Sequence, residues 1–172
     1  ELEAAGAGGL TIEDTLLPQA FGEKKTQLIS LEEGVGKMKA AVDGRSDASL
    51  VLLARAGAIA GTSLGDAIGR ARAYQAAGVD GLFFTGIRSR DEVEAIASAT
   101  RLPIVLGGAP EEMIDLTWLA EKRVKIALQG HAPIAAATQS VYETLKALRE
   151  GTLPKNLKGL ASAELTGRVT RD

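Results

Sequence analysis

Cysteine is absent from the 172 residues, which excludes disulfides, thiolate nucleophiles and cysteine-based zinc sites. Histidine occurs once, at His131, so a His-rich metal motif such as H-E-x-x-H cannot form. Aromatic residues make up only 3% of the chain, and the core must be built from Val, Ile, Leu and Ala. Neither sign of charge dominates: 20 Lys and Arg face 22 Asp and Glu, for a net charge of −2. That balance argues against a binder of nucleic-acid phosphates, which needs a basic face. It also removes electrostatic attraction to anionic membranes. Apolar runs stay short of the roughly 18 residues of a membrane span; the most apolar, Ser49 to Gly61, is broken by Arg55. Glu1 and Glu3 stand where a signal peptide needs basic residues, so a cytoplasmic protein is expected. The chain lacks an initiator Met and opens on Glu1-Leu2-Glu3-Ala4-Ala5-Gly6, which reads as the last turn of a helix and its glycine cap. Part of a longer protein is therefore expected.

Glycine, by contrast, is abundant at 20 residues, and it punctuates a repeat. Ala4-Ala5-Gly6-Ala7-Gly8-Gly9-Leu10-Thr11-Ile12 is echoed by Ala76-Ala77-Gly78-Val79-Asp80-Gly81-Leu82-Phe83-Phe84: helix end, glycine stop, short apolar strand. Further apolar runs lie at Leu50–Leu53, Ile104–Leu106 and Val124–Leu128. They are continuous rather than alternating, as in parallel strands covered on both faces. Helix-length segments separate them. Ser30-x-x-Glu33 and Ser89-x-x-Glu92 have the form of capping boxes, and Ser63 with Asp66 opens a helix that ends at Gly78. Pro110 suits the first turn of a helix through Trp118, a residue expected to pack that helix on the sheet. A last long helix runs from about Ala132 to Glu150 and stops at Gly151, with Lys146, Arg149 and Glu150 on a solvated face. The pattern is α/β with a parallel sheet: an open doubly wound sheet or a piece of a (β/α)8 TIM barrel. No strand is followed by G-x-G-x-x-G or a phosphate loop, which weakens the first. The later strands begin about every 22 residues, which suits the second. The first unit is longer because the polar stretch from Asp14 to Ser30 intervenes, containing Pro18, Gly22, Lys24 and Lys25; residues 14–30 are a candidate active-site lid.

In a barrel the site lies at the carboxyl ends of the strands. Those ends carry Glu13-Asp14, Arg55, Thr85 with Arg88, Gly107-Gly108, and His131. Glu13 and Asp14 should point to opposite faces, and Glu13 is favoured for the site. Its carboxylate could bind Mg²⁺ directly or through water; the competing reading is a helix-facing acid paired with a lysine. Arg55 interrupts an apolar run, where an unpaired guanidinium is costly. A bidentate substrate carboxylate would serve as its partner; so would an acid of a neighbouring strand, such as Glu13. His131 could donate a hydrogen bond to a developing oxyanion or transfer a proton, or only cap the following helix.

The stretch Gly9-Leu10-Thr11-Ile12-Glu13-Asp14-Thr15-Leu16-Leu17-Pro18 resembles the isocitrate lyase/phosphoenolpyruvate mutase superfamily. The likeness continues through Ser30–Ala41, Leu53-Ala54-Arg55-Ala56, Arg72–Gly81 and Gln129-Gly130-His131-Ala132. It implies a (β/α)8 barrel that binds Mg²⁺ (or Mn²⁺) and cleaves or forms C–C or P–C bonds in 2-oxo acids. This chain would supply roughly strands four to eight, as a single domain over residues 1–172 that is the C-terminal portion of the barrel. Lyases of the family that act on isocitrate or methylisocitrate carry K-[KR]-C-G-H in the lid. Residues 18–25 contain neither cysteine nor histidine, which excludes that activity. The T-L-L-P stretch and the G-H-A turn are similar to the oxaloacetate decarboxylase branch.

By that resemblance Arg55 and His131 are catalytic: Arg55 binds a substrate carboxylate and His131 stabilises the enolate, with Gly108 a further substrate contact. Glu13 holds a metal-bound water, direct metal ligands being expected upstream of Glu1. Pro18, Phe21, Lys24 and Lys25 belong to the lid. The implied function is Mg²⁺-dependent oxaloacetate decarboxylation to pyruvate and CO₂ by a homo-oligomer, a tetramer, with no nucleic-acid or membrane partner. The alternatives are a phosphonopyruvate-type P–C mutase or hydrolase and a non-catalytic 2-oxo acid-binding barrel. Two departures bear on substrate. Ala56-Gly57 follow Arg55 where the family has Thr and then Asn or Asp, and Leu106-Gly107-Gly108-Ala109 stands where the decarboxylase branch has a tyrosine.

Overall fold

Strands and helices alternate along residues 1–130 of the computed structural model, which describes residues 1–19, 21–22 and 26–170. The elements are β1 (Gly9–Glu13), α1 (Leu31–Asp43), β2 (Val51–Ala56), the single turn α2 (Ala58–Gly61) and α3 (Leu64–Ala77). They continue as β3 (Gly81–Phe84), α4 (Arg90–Ala99), β4 (Ile104–Leu106), α5 (Leu116–Glu121) and β5 (Val124–Ala127). All five strands are parallel and lie in the order β1-β2-β3-β4-β5. A sheet that never reverses its order winds one way, as consecutive units of a (β/α)8 barrel do; a doubly wound sheet reverses at a switch point. The order therefore decides for the barrel arc over the open sheet.

The register explains both faces. Ile12, Ala54, Leu82, Ile104 and Val124 pair in sequence across the sheet on the helix side, where Ala54, Leu82 and Ile104 are buried under α1, α3 and α4. On the opposite face the row reads Glu13, Arg55, Phe83, Val105, Ile126. Arg55 stands next to last in β2, near its carboxyl end, on the face turned away from the helices, while Leu52, Ala54 and Ala56 face the helices. One β-irregularity between Ile104 and Val105 keeps Val105 beside Ile126.

Serine caps start the helices where the sequence places them. The Ser30, Ser63 and Ser89 hydroxyls accept from the backbone N–H of Glu33, Asp66 and Glu92 at 3.1, 3.1 and 3.3 Å. Gly78 closes α3 at φ +95°, a conformation that costs glycine little. Helix α1 meets α3 at Gly34, where a Cβ would overlap the Tyr74 hydroxyl oxygen; absence of a side chain there is what lets the fully buried Tyr74 lie between the helices. The helix expected from Pro110 through Trp118 is instead two pieces. A 3₁₀ turn, Glu111–Met113, ends at Ile114, and Asp115 then caps α5 by accepting from the N–H of Thr117 and Trp118. The local Asp115 cap outcompetes continuation of the turn. Trp118 packs against the core, with the Arg90 guanidinium 4.6 Å from its ring centroid. Residues 1–6 form hydrogen-bonded turns ending at Gly6, φ +86°.

Residues 131–172 form a second unit. It holds α6 (Ala132–Arg149), a 3₁₀ turn at Pro154–Asn156 and α7 (Ala163–Val169). Lys146 and Glu150 are exposed and 4.0 Å apart. Helix α7 carries no acidic partner three residues after its cap, Ser162, whose hydroxyl accepts from Leu165 N–H, and the sequence pattern gives no sign of it. Among the described residues no helix is long and apolar enough to cross a membrane.

Candidate functional site

At the carboxyl ends of β1, β2 and β3 a cavity of about 220 Å³ is lined by Glu13, Thr15, Thr26, Arg55, Gly57 and Thr85. Parallel pairing of Glu13 with Arg55 places their side chains together on the same face, and an Arg55 Nη1 lies 3.1 Å from Glu13 Oε2. The Arg55 guanidinium also stands 5.5 Å from the Phe83 ring centroid, within cation–π range. Gly107 makes room for that ring: a Cβ there would come within 2.7 Å of Phe83 and 2.9 Å of Thr85. Arg55 thus has two partners on the sheet and remains partly exposed, with donors left over for a ligand. Lys37 does approach Glu13, but its Nζ donates to the backbone carbonyl at 2.7 Å and leaves the carboxylate toward the cavity.

Asp14 points to the other side of β1 and is fully buried. Its Oδ1 accepts from Gly57 N–H at 3.1 Å, and its Oδ2 accepts from an Arg70 Nη1 at 3.1 Å and from the Tyr74 hydroxyl at 3.0 Å. Arg70 reaches Asp66 through Nε at 3.1 Å and the Ile29 carbonyl through Nη2 at 2.9 Å. Burial, with the Asp14 charge adding to it, pushes the Tyr74 phenol up to about 12, so it is a hydrogen-bond donor at neutral pH. Burial opposes the Arg70 charge, yet its hydrogen bonds to Tyr74 and Asp66 and the nearby Asp14 charge raise its pKa overall. This network was not legible as a site, although Asp66, Arg70 and Tyr74 recur every fourth residue on a face of α3 that is otherwise alanine, the one available signal.

The remaining candidates fall elsewhere. Gly108 follows β4 at φ +145° with open space around a built Cβ, outside the lining of the cavity. Arg88 is exposed beside Glu92. Pro18 and Phe21 are exposed, Phe21 completely; Lys24 and Lys25 lie outside the described residues. The root of the 14–30 segment is fixed by an antiparallel bridge, Thr15 with Leu28, and by Leu16 N–H donating to the Gln27 carbonyl at 2.8 Å. His131 belongs to the second unit, exposed at the amino end of α6, where it makes no side-chain cap bond. Thr15 and Thr26 join the cavity without any signal in the sequence, because the hairpin that carries them back over β1 has no apolar periodicity. Among the described residues no group of three His, Asp or Glu side chains could hold a metal ion.

The sequence pattern of the phosphoenolpyruvate phosphomutase family matches residues 1–149. Oxaloacetate decarboxylase of Bradyrhizobium sp. (strain ORS 278) is 73% identical over 172 residues, all of this chain and 60% of that protein. The protein of the same name from Rhodopseudomonas palustris (strain BisA53) is 68% identical over 171 residues, 99% of this chain and 59% of its own length. The chain therefore spans about 60% of the length of the curated relatives it matches. Among solved structures, a phosphonopyruvate hydrolase in complex with oxalate and Mg²⁺ superposes with a TM-score of 0.74 at 31% identity, over 96% of this chain and 61% of that one.

Proposed function

Because this chain belongs to the phosphoenolpyruvate phosphomutase family, we propose that the protein it comes from is a lyase of small 2-oxo dicarboxylates, with oxaloacetate decarboxylation to pyruvate and CO₂ as its reaction. The observation that carries the reading is the 73% identity to a relative of that name over the whole length of this chain. Arg55 binds a substrate carboxylate through the donors that Glu13 and Phe83 leave free, and its planar fork fixes the orientation of that carboxylate. The hydroxyls of Thr15, Thr26 and Thr85 supply further donors around it. In the reaction the bond between C3 and the departing carboxylate breaks. Its electron pair passes into the enolate of the 2-oxo group, and a proton added at C3 gives pyruvate. His131 donates to the enolate oxygen, a role that rests on the family resemblance and on imidazole chemistry. Within residues 14–30, the part beyond the fixed Thr15–Leu28 root acts as a lid that excludes water, and Gly108 leaves its backbone open to the substrate.

Mg²⁺ dependence is part of the proposal, supported by the oxalate and Mg²⁺ complex of the phosphonopyruvate hydrolase. Glu13 offers one oxygen to the cavity, directly or through water, whereas a hard divalent cation takes about six. The described residues of this chain do not complete such a site, and the roles of Arg55 and the threonines do not depend on it. Charge supports a cation all the same. Glu13 and Arg55 cancel, so a dicarboxylate brings two negative charges into a neutral cavity. The protein is further proposed to be a cytoplasmic homo-oligomer, a tetramer, which sedimentation of the full-length protein tests.

The deciding experiment supplies the full-length protein and Mg²⁺ with oxaloacetate or with phosphonopyruvate. Pyruvate and CO₂ from the first, with no phosphate from the second, is the expected result. Faster P–C cleavage would move the activity to the phosphonopyruvate class. Tight oxalate binding with turnover of neither substrate would make it a 2-oxo acid-binding barrel. Closure of the lid would be read by tryptic cleavage at Lys24 and Lys25, expected to slow when oxalate and Mg²⁺ are bound.

A further inference from the structure

Apart from Thr85 after β3, the cavity walls come from three stretches of chain: the end of β1 with Thr15, the returning arm at Thr26, and the end of β2 with Gly57. One residue bonds to all three while standing outside the cavity. The Asp14 main chain donates to the Arg55 carbonyl at 3.2 Å and accepts from Ile29 N–H at 2.9 Å. Its carboxylate accepts from Gly57 N–H, two residues beyond Arg55. Through Arg70 it also holds the other backbone group of Ile29, the carbonyl, which Arg70 Nη2 reaches at 2.9 Å. At Gly57 the β2 wall and the returning arm lie close, since a Cβ added there would meet Leu28 Cδ2 at 3.4 Å.

Packing alone does not call for this arrangement. A buried ion pair can often be replaced by apolar side chains of similar size at no loss of stability. What a buried carboxylate adds is direction: three donors, two from α3 and one from the end of β2, converge on two oxygens at fixed angles. We propose that Asp14, gripped by Arg70 and Tyr74, is a positioning residue that sets the spacing between the Arg55–Gly57 wall and the Thr15–Thr26 wall, and with it the fit of the substrate. The proposal rests on the reading of the Glu13–Arg55 cavity as the substrate site.

A second ion pair at the opposite ends of the same strands provides the control. Arg45 lies 2.6 Å from Asp80, whose Oδ2 accepts from Leu52 N–H at 2.8 Å. It ties backbone together much as Asp14 does, far from the cavity. In the full-length protein, Asp14→Asn, Tyr74→Phe and Asp80→Asn are compared by thermal unfolding, by calorimetric binding of oxalate with Mg²⁺, and by KM and kcat for oxaloacetate.

The first two variants are expected to raise the oxalate Kd and the KM about tenfold, with kcat changed far less, as misplaced binding groups do. Asp80→Asn, at a partly exposed pair, should lower the unfolding temperature by a smaller amount and leave Kd and KM alone. Equal weakening of oxalate by Asp80→Asn would overturn the proposal, because the effect would then report general loosening. So would variants that unfold earlier yet bind oxalate as tightly as the parent. If Asp14→Asn does not fold, Tyr74→Phe decides, since it keeps the packed ring and the ion pair and removes one hydroxyl. A parent protein that neither binds oxalate nor turns over oxaloacetate sinks the reading of the cavity itself. A parent that binds oxalate, with variants that bind it equally well, sinks only the positioning role.

Discussion

Glu13 and Asp14 are adjacent carboxylates, each paired with one arginine at 3.1 Å, and they live under different physics. The Glu13–Arg55 side chains are 28% and 41% exposed, so water screens their attraction and the pair adds little to stability. Asp14 and Arg70 are 0% and 6% exposed. Both have been stripped of water, and Asp14 is tolerable only while Arg70 remains, whereas Arg70 has Asp66 as a second partner. The first pair can therefore exchange partners with an incoming anion at little cost, whereas the second cannot. A strand that alternates its faces has put a replaceable ion pair and an irreplaceable one on consecutive residues.

The largest expected effect breaks the buried side of this comparison. Asp14→Ala in the full-length protein opens a hole beside Arg70, leaves it Asp66 as its one carboxylate partner and strips the Gly57 N–H and Tyr74 hydroxyl of their acceptor. It should cost about 3 kcal/mol or more of unfolding free energy by denaturant titration. Arg55→Lys, on the open side, should spare stability to within about 1 kcal/mol. It should nonetheless lower kcat/KM for oxaloacetate about 100-fold, or roughly 2.7 kcal/mol, because an ammonium cannot reproduce the fork geometry. Unchanged kinetics in a folded protein would remove Arg55 from the substrate site.

Gly107→Ala sharpens the same contrast from beneath, since the new methyl must displace Phe83 and Thr85. A loss of about 1–3 kcal/mol in stability is expected, accompanied by a higher KM as the ring under Arg55 shifts. The smallest effect is one of pH. The folded chain holds the Tyr74 proton more tightly than the unfolded chain, whose phenol titrates near 10, against about 12 in the fold. The associated stability is complete below pH 10 and is lost as pH rises from 10 toward 12. Unfolding midpoints should fall more steeply across that window than those of Tyr74→Phe, and parallel slopes would contradict the buried phenol.

The strands were legible because a continuous run such as Ile104-Val105-Leu106 needs cover on both faces, and the serine caps because their hydrogen bonds are local. The opposite orientations of Glu13 and Asp14 followed from strand alternation alone. What the sequence could not show depended on contacts distant along the chain. Asp14 meets Arg70 and Tyr74 across 56 and 60 residues, and no local pattern announces a partner so far away. The break at Ile114 went unread for the opposite reason: two local preferences, the Pro110 turn and the Asp115 cap, compete within six residues, and periodicity sees only their sum. Arg55 was visible as a break in its apolar run, but its contact with the Phe83 ring was not, because that ring belongs to a neighbouring strand distant in sequence.

The close approach of α1 and α3 at Gly34 constrains how this protein can change over generations. A side chain at position 34 is blocked by the hydroxyl oxygen of Tyr74, and that same hydroxyl holds Asp14. The two positions are therefore epistatic, and the order of mutation matters. Alanine arriving first at 34 must push the phenol off its acceptor, whereas phenylalanine arriving first at 74 removes the oxygen in the way. Even then a Cβ would stand 3.1 Å from the ring carbons, so the ring must still give way by a few tenths of an ångström. Descendants of this chain should carry Gly34 wherever Tyr74 persists, and any lineage with a larger residue at 34 should already have lost the hydroxyl.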